Sequence, residues 1–340
     1  MRIAIHNRPG SFSDRWIEYC QEKGIDYKVV NAYDSDIICQ ISDCDAFMFH
    51  HHHGNYKDVL FARQLLYSLE ESGKRVFPDW RTCWHFDDKV GQKYLLEAIG
   101  APLIPSCVFY TKQEAINWIE QTTFPKVFKL RGGASAANVK LVHTAKEAKV
   151  LVRKAFGTGF SQFDRMGYLK ERYRKWRNGG DSFIGVLKGI GRLFIPTEYS
   201  KMHAKEKGYI YFQDFIPNND CDFRIVVIGD KILAEKRYVR KGDFRASGSG
   251  KFEYVNVPQT ILEIAFETAE KLKLQSVAFD FIFDNQKPLI VEMSYCFGKK
   301  GISHCPGYYT RDYQWHDNPE PNFYGWMVEN FISKTEAGDK

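Results

Sequence analysis

Residues 277–294 read VAFDFIFDNQKPLIVEMS: two β-rich runs around a polar Asn285-Gln286-Lys287 turn, each carrying an acid. A hairpin symmetric about Gln286 sets Asp280 directly opposite Glu292. Directly paired Cβ atoms lie about 4.5–5.5 Å apart, and like charges there repel. A cation that takes carboxylate oxygens at about 2.0–2.1 Å reverses that penalty, so the pattern points to a magnesium site built on Asp280 and Glu292. A half-exposed edge with solvated acids, or a register slipped by one residue, accounts for the same letters.

A second hairpin lies upstream, in DFRIVVIGDKILAEKRYV (residues 222–239). Its Gly229-Asp230 pair suits a two-residue turn. Pairing Ile228 with Lys231 sets Arg224 opposite Glu235 and Asp222 opposite Arg237, all on one face. Two surface ion pairs, each worth under about 1 kcal/mol, are one reading; the polar wall of a phosphate or ribose pocket is the other. Further upstream, FPKVFKLRGGASAANVKLV (residues 124–142) runs a strand bearing Lys129 into a loop of glycine, alanine and serine. Unshielded backbone N–H groups in such a loop can wrap phosphate oxygens, with the lysine as a compact charge beneath. It is not a Walker A loop, and no GxGxxG opens a helix, so a dinucleotide fingerprint is missing.

Around these pieces the chain of 340 residues is ordinary globular material: 44% apolar, 15% aromatic and 26% charged. That composition excludes collagen-like, low-complexity and wholly disordered classes. An excess of 48 basic over 42 acidic residues permits an anionic ligand without calling for nucleic acid. Apolar runs stay far below the roughly 20 residues of a membrane helix, and the amino terminus lacks a signal pattern, which reads as cytoplasmic with no membrane span. The eight cysteines show no CxxC spacing, which fits reduced thiols and no zinc framework.

The first 80 residues alternate strand and helix signals, with a helix from about Tyr56 to Ser72, and predict a small α/β domain with a parallel sheet. Another helix follows Asp87 and Asp88, and a second α/β unit begins near Ser106. Between Gly157 and Gly191 the pattern is lost, as in an insertion. Hairpins, a helix from about Ile261 to Leu274 and an irregular aromatic tail complete the chain.

Taken in order, the lysine of DDK (Lys89), FPKVFKL with Lys129, the small-residue loop, YFQDFIPNNDCDFRIVVIGDKILAEKRYVRKGDFRASG, AFDFIF and VEMS resemble the ATP-grasp superfamily of carboxylate–amine ligases. The likeness is to the branch of the ribosomal-protein glutamate ligase and glutathione synthetase, and it covers about residues 86–296. It implies a mixed α/β fold in which two lobes clamp ATP behind an N-terminal pre-grasp domain. The implied division is 1–85 for the pre-grasp domain, 86–195 for the central lobe with its lid and basic insertion, and 196–340 for the C-terminal lobe.

The resemblance also implies roles. Lys89 and Lys129 would reach the ATP phosphates, and the loop from Gly132 through Gly133 and Ser135 to Asn138 would be the lid. Gln213, Asp214, Phe215 and Ile216 would hold adenine through main-chain groups, with Asp222 near the nucleotide. Arg237 and Arg245, with Ala246 and Ser247, would stand by the γ-phosphate and the acyl phosphate. Asp280 and Glu292 would hold one or two Mg2+ ions, and Ser294 stands where the family usually has asparagine, a stronger ligand.

The implied activity is ATP- and magnesium-dependent joining of a carboxylate to an amine. A kinase acting on a hydroxyl acceptor, or a nucleotide-gated module binding RNA or an acidic polymer, are the alternatives. The tail HCPGYYTRDYQWHDNPEPNFYGW (residues 304–326) resembles those of ATP-grasp proteins encoded with surface-polysaccharide biosynthesis, which points to a sugar-acid or glycan-linked carboxylate. His50 to His53 either line an acceptor pocket or are ordinary loop histidines. The segment RMGYLKERYRKWRN (residues 165–178) is either a solvated basic helix or a polymer-binding surface. Residue types name neither substrate nor an oligomeric state.

Overall fold

The computed structural model describes residues 1–133, 138–162, 165–177, 182–195, 202, 204–240, 242–254 and 256–333. By packing, the chain falls into two compact units, one of Met1–Phe86, Tyr94–Leu103 and Asn218–Lys340, the other of Asp87–Lys93 and Ile104–Pro217.

The first unit opens with β1 (Ile3–His6), α1 (Phe12–Lys23), β2 (Tyr27–Val30), a short α2 (Ile37–Gln40), β3 (Ala46–Met48), α3 (Tyr56–Glu71), β4 (Arg75–Phe77) and a short α4 (Trp80–Cys83). The strands form a parallel sheet in the order β2-β1-β3-β4. Both faces are covered, which is why Ile3–Ile5 of β1 and all of β3 are apolar rather than alternating. Ile3, Ile5 and Met48 join one core with Phe12 and Trp16 of α1, while Ala4 and Phe47 join another with Leu65 and Leu66 of α3. Local chemistry fixes the ends of α1: the Ser11 side chain caps its first turn, and Gly24 closes it at φ 65°.

The second sheet of this unit runs β13-β12-β9-β10-β14-β15, with β11 also on β10. It comprises β9 (Cys221–Ile228), β10 (Lys231–Tyr238), β11 (Phe252–Glu253), β12 (Ser276–Asp284), β13 (Lys287–Ser294), β14 (Gly307–Thr310) and β15 (Trp315–Asp317). On one face Ile225, Val227, Ile232, Phe279 and Phe281 pack on Ile261, Ala265 and Phe266 of α10 (Gln259–Lys271). The other face changes character along the strands. Val226, Ile228, Leu233 and Ala278 are core, and farther along the same faces stand Asp222, Arg224, Glu235, Arg237 and Asp280. Burial of each large side chain supplies about 1.5–3 kcal/mol, so the apolar end anchors the sheet on which the polar end is displayed.

After a short α11 (Lys299–Ile302), β14 and β15, the chain ends in α12 (Phe323–Ser333), so the tail expected to be irregular is structured. The signal is in its letters: Phe323, Tyr324, Met327, Val328 and Phe331 recur at helical spacing and bury against Phe12, Trp16 and Tyr19.

In the second unit, β5 (Ser106–Phe109), β6 (Lys126–Lys129), β7 (Val139–Val142) and β8 (Ile210–Asp214) form an antiparallel sheet ordered β5-β8-β6-β7. Phe128 and Phe212 on one face pack on α6 (Lys112–Gln121) and α7 (Ala145–Ala155). The opposite face carries Val127, Lys129, Tyr211 and Gln213. α5 (Lys89–Ala98) begins in this unit, and its later turns belong to the first. The segment where the sequence pattern is lost holds two helices, α8 (Arg165–Arg177) and α9 (Phe183–Phe194). α8 is polar nearly all round, and three glycines interrupt the apolar run of α9. No helix among the described residues is long and apolar enough to cross a membrane, and the eight cysteines are free thiols.

Candidate active site

The polar end of the β9–β10–β12–β13 face is a network of charges in register. Ile228 pairs with Lys231 around Gly229-Asp230, which sets Arg224 opposite Glu235 and Asp222 opposite Arg237, as the sequence predicts. On the other side of β9, Asp280 lies opposite Arg224. The side chains follow the ladder. Arg237 donates from Nε and Nη2 to the two oxygens of Asp222, both at 2.7 Å, and its Nη2 lies 2.8 Å from Asp280 Oδ2. Arg224 donates to Asp280 Oδ1 at 2.9 Å and to Oδ2 at 3.0 Å. These are bidentate, charge-assisted bonds. Arg237 is only 3% exposed, so the pairs are not the weak surface bridges that the ladder alone allows. Burial works to raise the Asp280 pKa, but the two guanidinium groups outweigh it and hold the carboxyl well below the usual range.

The metal hairpin reaches its expected pairing by an unexpected route. The turn has two residues, Asn285 and Gln286, with Asp284 paired to Lys287 and Asn285 at φ 55°. That turn by itself sets Asp280 opposite Val291. A bulge after Asp280 inserts one residue, Phe281 pairs with Ile290, and Glu292 arrives opposite Asp280. Bulges re-aim side chains beside functional sites in this way. Ser294, opposite Ala278, donates its hydroxyl hydrogen to the Cys296 carbonyl at 2.9 Å.

Magnesium is usually held by one or two carboxylates plus the phosphates of its nucleotide, and the Asp280–Glu292 pair fits that demand in donor type and number. Among the described residues no group of three or more His, Cys, Asp or Glu is placed to hold a metal ion by itself. The guanidinium groups of Arg224 and Arg237 answer the Asp280 charge, a source of relief that neither the metal nor the solvated-edge reading of the sequence included.

Two residues of this face, Arg224 and Glu235, entered the sequence reading only as an ion pair with each other or as part of a polar pocket wall, and the structure does not hydrogen-bond them to each other. Arg224 clamps Asp280, and its signal was present as the same-face neighbour two residues after Asp222. Glu235 is buried, its Oε2 has no hydrogen-bond partner, and burial pushes its pKa up to about 7. Gly301 faces that oxygen: a Cβ there would stand 1.7 Å from it. The predicted γ-phosphate arginine, Arg245, turns onto Asp243 within its own loop, with Nη2 to Oδ2 at 2.7 Å. Ala246 is buried beside it, and Ser247 offers its carbonyl to Arg240.

The second unit holds the other predicted residues. Lys89 opens α5, donates from Nζ to the Gly133 carbonyl at 2.8 Å, and donates its backbone N–H to Arg131 O at 2.9 Å. The glycine-loop amides face carboxylates: Gly133 N–H meets Asp87 Oδ1 at 2.8 Å, and Gly132 N–H meets Glu206 Oε1 at 3.4 Å. Ser135 lies outside the described residues. Lys129 ends β6, on the same sheet face as Gln213, whose amide donates to Ser106 Oγ at 3.2 Å. Asp214 sits on the reverse face, paired with Lys126 at 2.6 Å, its N–H bonded to Pro105 O at 2.9 Å. Phe215 and Ile216 follow β8 directly.

The histidine run follows β3. His50 stacks on Phe12 with centroids 3.9 Å apart and meets Ser11 Oγ at 2.9 Å, while His51 packs on Tyr295 and Phe86. Burial drives both pKa values well below the ordinary imidazole value, so both rings are neutral. Both rings also approach Tyr295, at 6.2 Å from His50 and 4.9 Å from His51 between centroids.

A family model described as the RimK-like ATP-grasp domain matches residues 196–308, which include the whole β9–β10–β12–β13 charge face. Residues 196–308 are thus similar to the RimK-like ATP-grasp domain. A ribosomal protein bS6–L-glutamate ligase of Escherichia coli is 30% identical over 134 residues, covering 38% of this chain and 40% of that enzyme. The chain therefore matches less than half the length of that relative. The RimK-domain ATP-grasp protein of Sphaerobacter thermophilus superposes with a TM-score of 0.59 at 16% identity, covering 97% of this chain and 99% of its own. The D-alanine–D-alanine ligase of Bacillus anthracis, solved with ATP, gives 0.58 at 12% identity, covering 98% and 96%. The mixed α/β architecture is thus the ATP-grasp fold.

Proposed function

We propose that the protein is an ATP- and magnesium-dependent ligase that joins a carboxylate to an amine through an acyl phosphate, releasing ADP and phosphate. The observation that carries this reading is the buried network of Asp222, Arg224, Arg237 and Asp280 with Glu292 opposite, inside the RimK-like domain.

A carboxylate is a poor electrophile because its leaving group would be oxide. Attack of a carboxylate oxygen on the γ-phosphorus of ATP, with departure of ADP, replaces that leaving group with phosphate. An amine then adds to the carbonyl carbon, phosphate departs and a proton is lost. Two anions meet in the first step, so fixed positive charge aimed at the transferring phosphoryl group lowers its barrier. Arg237 and Arg245 are the residues proposed for that task, with Ala246 and Ser247 beside them. Lys89, Lys129 and the Gly132-Gly133-Ser135 loop are proposed for the ATP phosphates, Gln213 to Ile216 for adenine, and Asp222 for the nucleotide pocket. Bound magnesium would polarise the phosphoryl oxygens from Asp280 and Glu292, with Ser294 beside them. The arginine clamp keeps Asp280 ionised and its carboxyl plane fixed, as a hard-cation ligand requires. The resemblance of residues 304–326 favours a sugar acid or glycan-linked carboxylate as the acid.

The test is phosphate release by purified protein with ATP and magnesium against a panel of amino acids, amines and uronic acids, with product masses read in parallel. A new mass equal to acid plus amine minus water, with matching phosphate, is expected. A product heavier by one phosphoryl group without free phosphate would replace the ligase with a kinase.

A further inference from the structure

The basic segment and the helix after it are not used by the ligase reading, and they combine two properties rarely left together on a surface. α9 presents large apolar side chains outward: Phe183 is 55% exposed, Ile184 62%, Leu187 50% and Ile190 43%. At 100° per residue these four fall on one arc of about 120°, with Lys188 and Arg192 along one edge of it. Val186 and Gly189 lie on the opposite, buried side. Gly189 lets α8 come close: a Cβ there would stand 3.0 Å from the Leu169 side chain. The outward arc is therefore not the side by which α9 packs on α8.

The aromatic residues of α8 extend the same surface. Trp176 lies 5.6 Å from Phe183 and 5.8 Å from Tyr173 between ring centroids, and all three are exposed. Charge is concentrated here as well. Residues 165–195 contain eight basic and two acidic residues, an excess of six. The whole chain has 48 basic and 42 acidic residues, the same excess, so everything outside this segment balances at 40 against 40.

An exposed apolar arc bordered by lysine and arginine, with tryptophan and tyrosine beside it, matches the chemistry of a helix lying in a lipid headgroup layer. We propose that the α8–α9 hairpin is an adsorption face for an anionic lipid bilayer. α9 has 12 residues, about 18 Å of helix against a hydrocarbon core of about 30 Å, so it lies on the membrane rather than through it. Phe183, Ile184 and Leu187 enter the acyl boundary, and Lys188 and Arg192 face the headgroups. Charge complementarity selects the lipid, because the excess of the whole chain sits within one hairpin. This proposal is independent of the ligase reading, and its readout is lipid binding.

The experiment is flotation of the full chain with vesicles of phosphatidylcholine alone or mixed with phosphatidylserine, at low and high salt. Binding to the mixed vesicles is expected, falling at least about tenfold without phosphatidylserine or at high salt. Ile184→Asp with Leu187→Asp, and separately Lys188→Glu with Arg192→Glu, should each reduce binding about tenfold or more, with unchanged far-ultraviolet circular dichroism because all four side chains are exposed. Should a variant misfold, the lipid and salt dependence of the unaltered chain decides. No binding to mixed vesicles, equal binding to neutral ones, or folded variants that bind normally would overturn the proposal. So would concentration-dependent dimers abolished by Leu187→Asp in a chain that ignores vesicles, or RNA binding by a chain that ignores them.

Discussion

Replacing Glu235 with glutamine isolates the cost of a buried carboxyl. The side chain is 2% exposed, its Oε2 is unpartnered against Gly301, and it faces Arg224 and Arg237 together with Asp222, Asp280, Tyr254 and Cys305. Burial outweighs the two arginines, and the carboxyl rises from 4.5 to about 7. Between those values the folded chain holds a proton that the unfolded chain has released. Stability from the protonated group is therefore fully present below about pH 4.5 and is lost as pH rises through about 7. The shift corresponds to a loss on the order of 3 kcal/mol.

Glu235→Gln keeps the shape and cannot ionise. Its own cost of an amide against Gly301 is the same at every pH and cancels in the comparison. Urea unfolding of both chains at about pH 5 and about pH 8 should show the variant gaining on the wild type by roughly 2–3 kcal/mol across the interval. Parallel stability profiles would refute the reasoning. They would mean that Glu235 is ionised throughout and paired with Arg224, in which case the substitution should cost about 3–5 kcal/mol at both pH values.

Three other substitutions probe the neighbouring groups. Arg237→Met leaves the Asp222 and Asp280 carboxylates facing each other without their bridging guanidinium, and should lower urea stability by about 3–5 kcal/mol; a loss under about 1 kcal/mol would mean that water reaches both acids. Glu292→Gln retains hairpin volume and should abolish phosphate release while leaving the unfolding midpoint nearly unchanged; near-normal turnover would remove Glu292 from metal binding. Lys129→Met should weaken ATP binding at least about tenfold by calorimetry, the worth of one charge-assisted phosphate contact; unchanged affinity would take the lysine away from the phosphates.

What the sequence allowed and what it hid follow from the range of the forces involved. Ladder pairings across Gly229-Asp230 are set by a two-residue turn and the period of two, both local, and so Arg224–Glu235 and Asp222–Arg237 were legible. The parallel sheet was legible for the same reason, its strands and helices each signalled within one window. The α12 face was equally local and went unread only because its aromatic residues follow a proline- and acid-rich stretch. Depth was not legible. The same letters describe a surface ion bridge and a buried arginine clamp, and what separates them is the packing of α10 on one face of the sheet and of α1 and α12 on the other.

The hairpin at 277–294 shows how a right pairing can rest on a wrong mechanism. Symmetry about Gln286 predicted Asp280 opposite Glu292, and the chain achieves it with a shorter turn and a bulge at Val291. A regular ladder from the same turn would put Glu292 on the face that carries Phe279 and Phe281, where a carboxylate would meet the core against α10. The bulge therefore does two things at once: it keeps a charge out of an apolar layer, which costs several kcal/mol to enter unpaired, and it delivers that charge to Asp280. Because the first effect alone suffices to fix the register, the pairing of the two acids needs no cation to hold it.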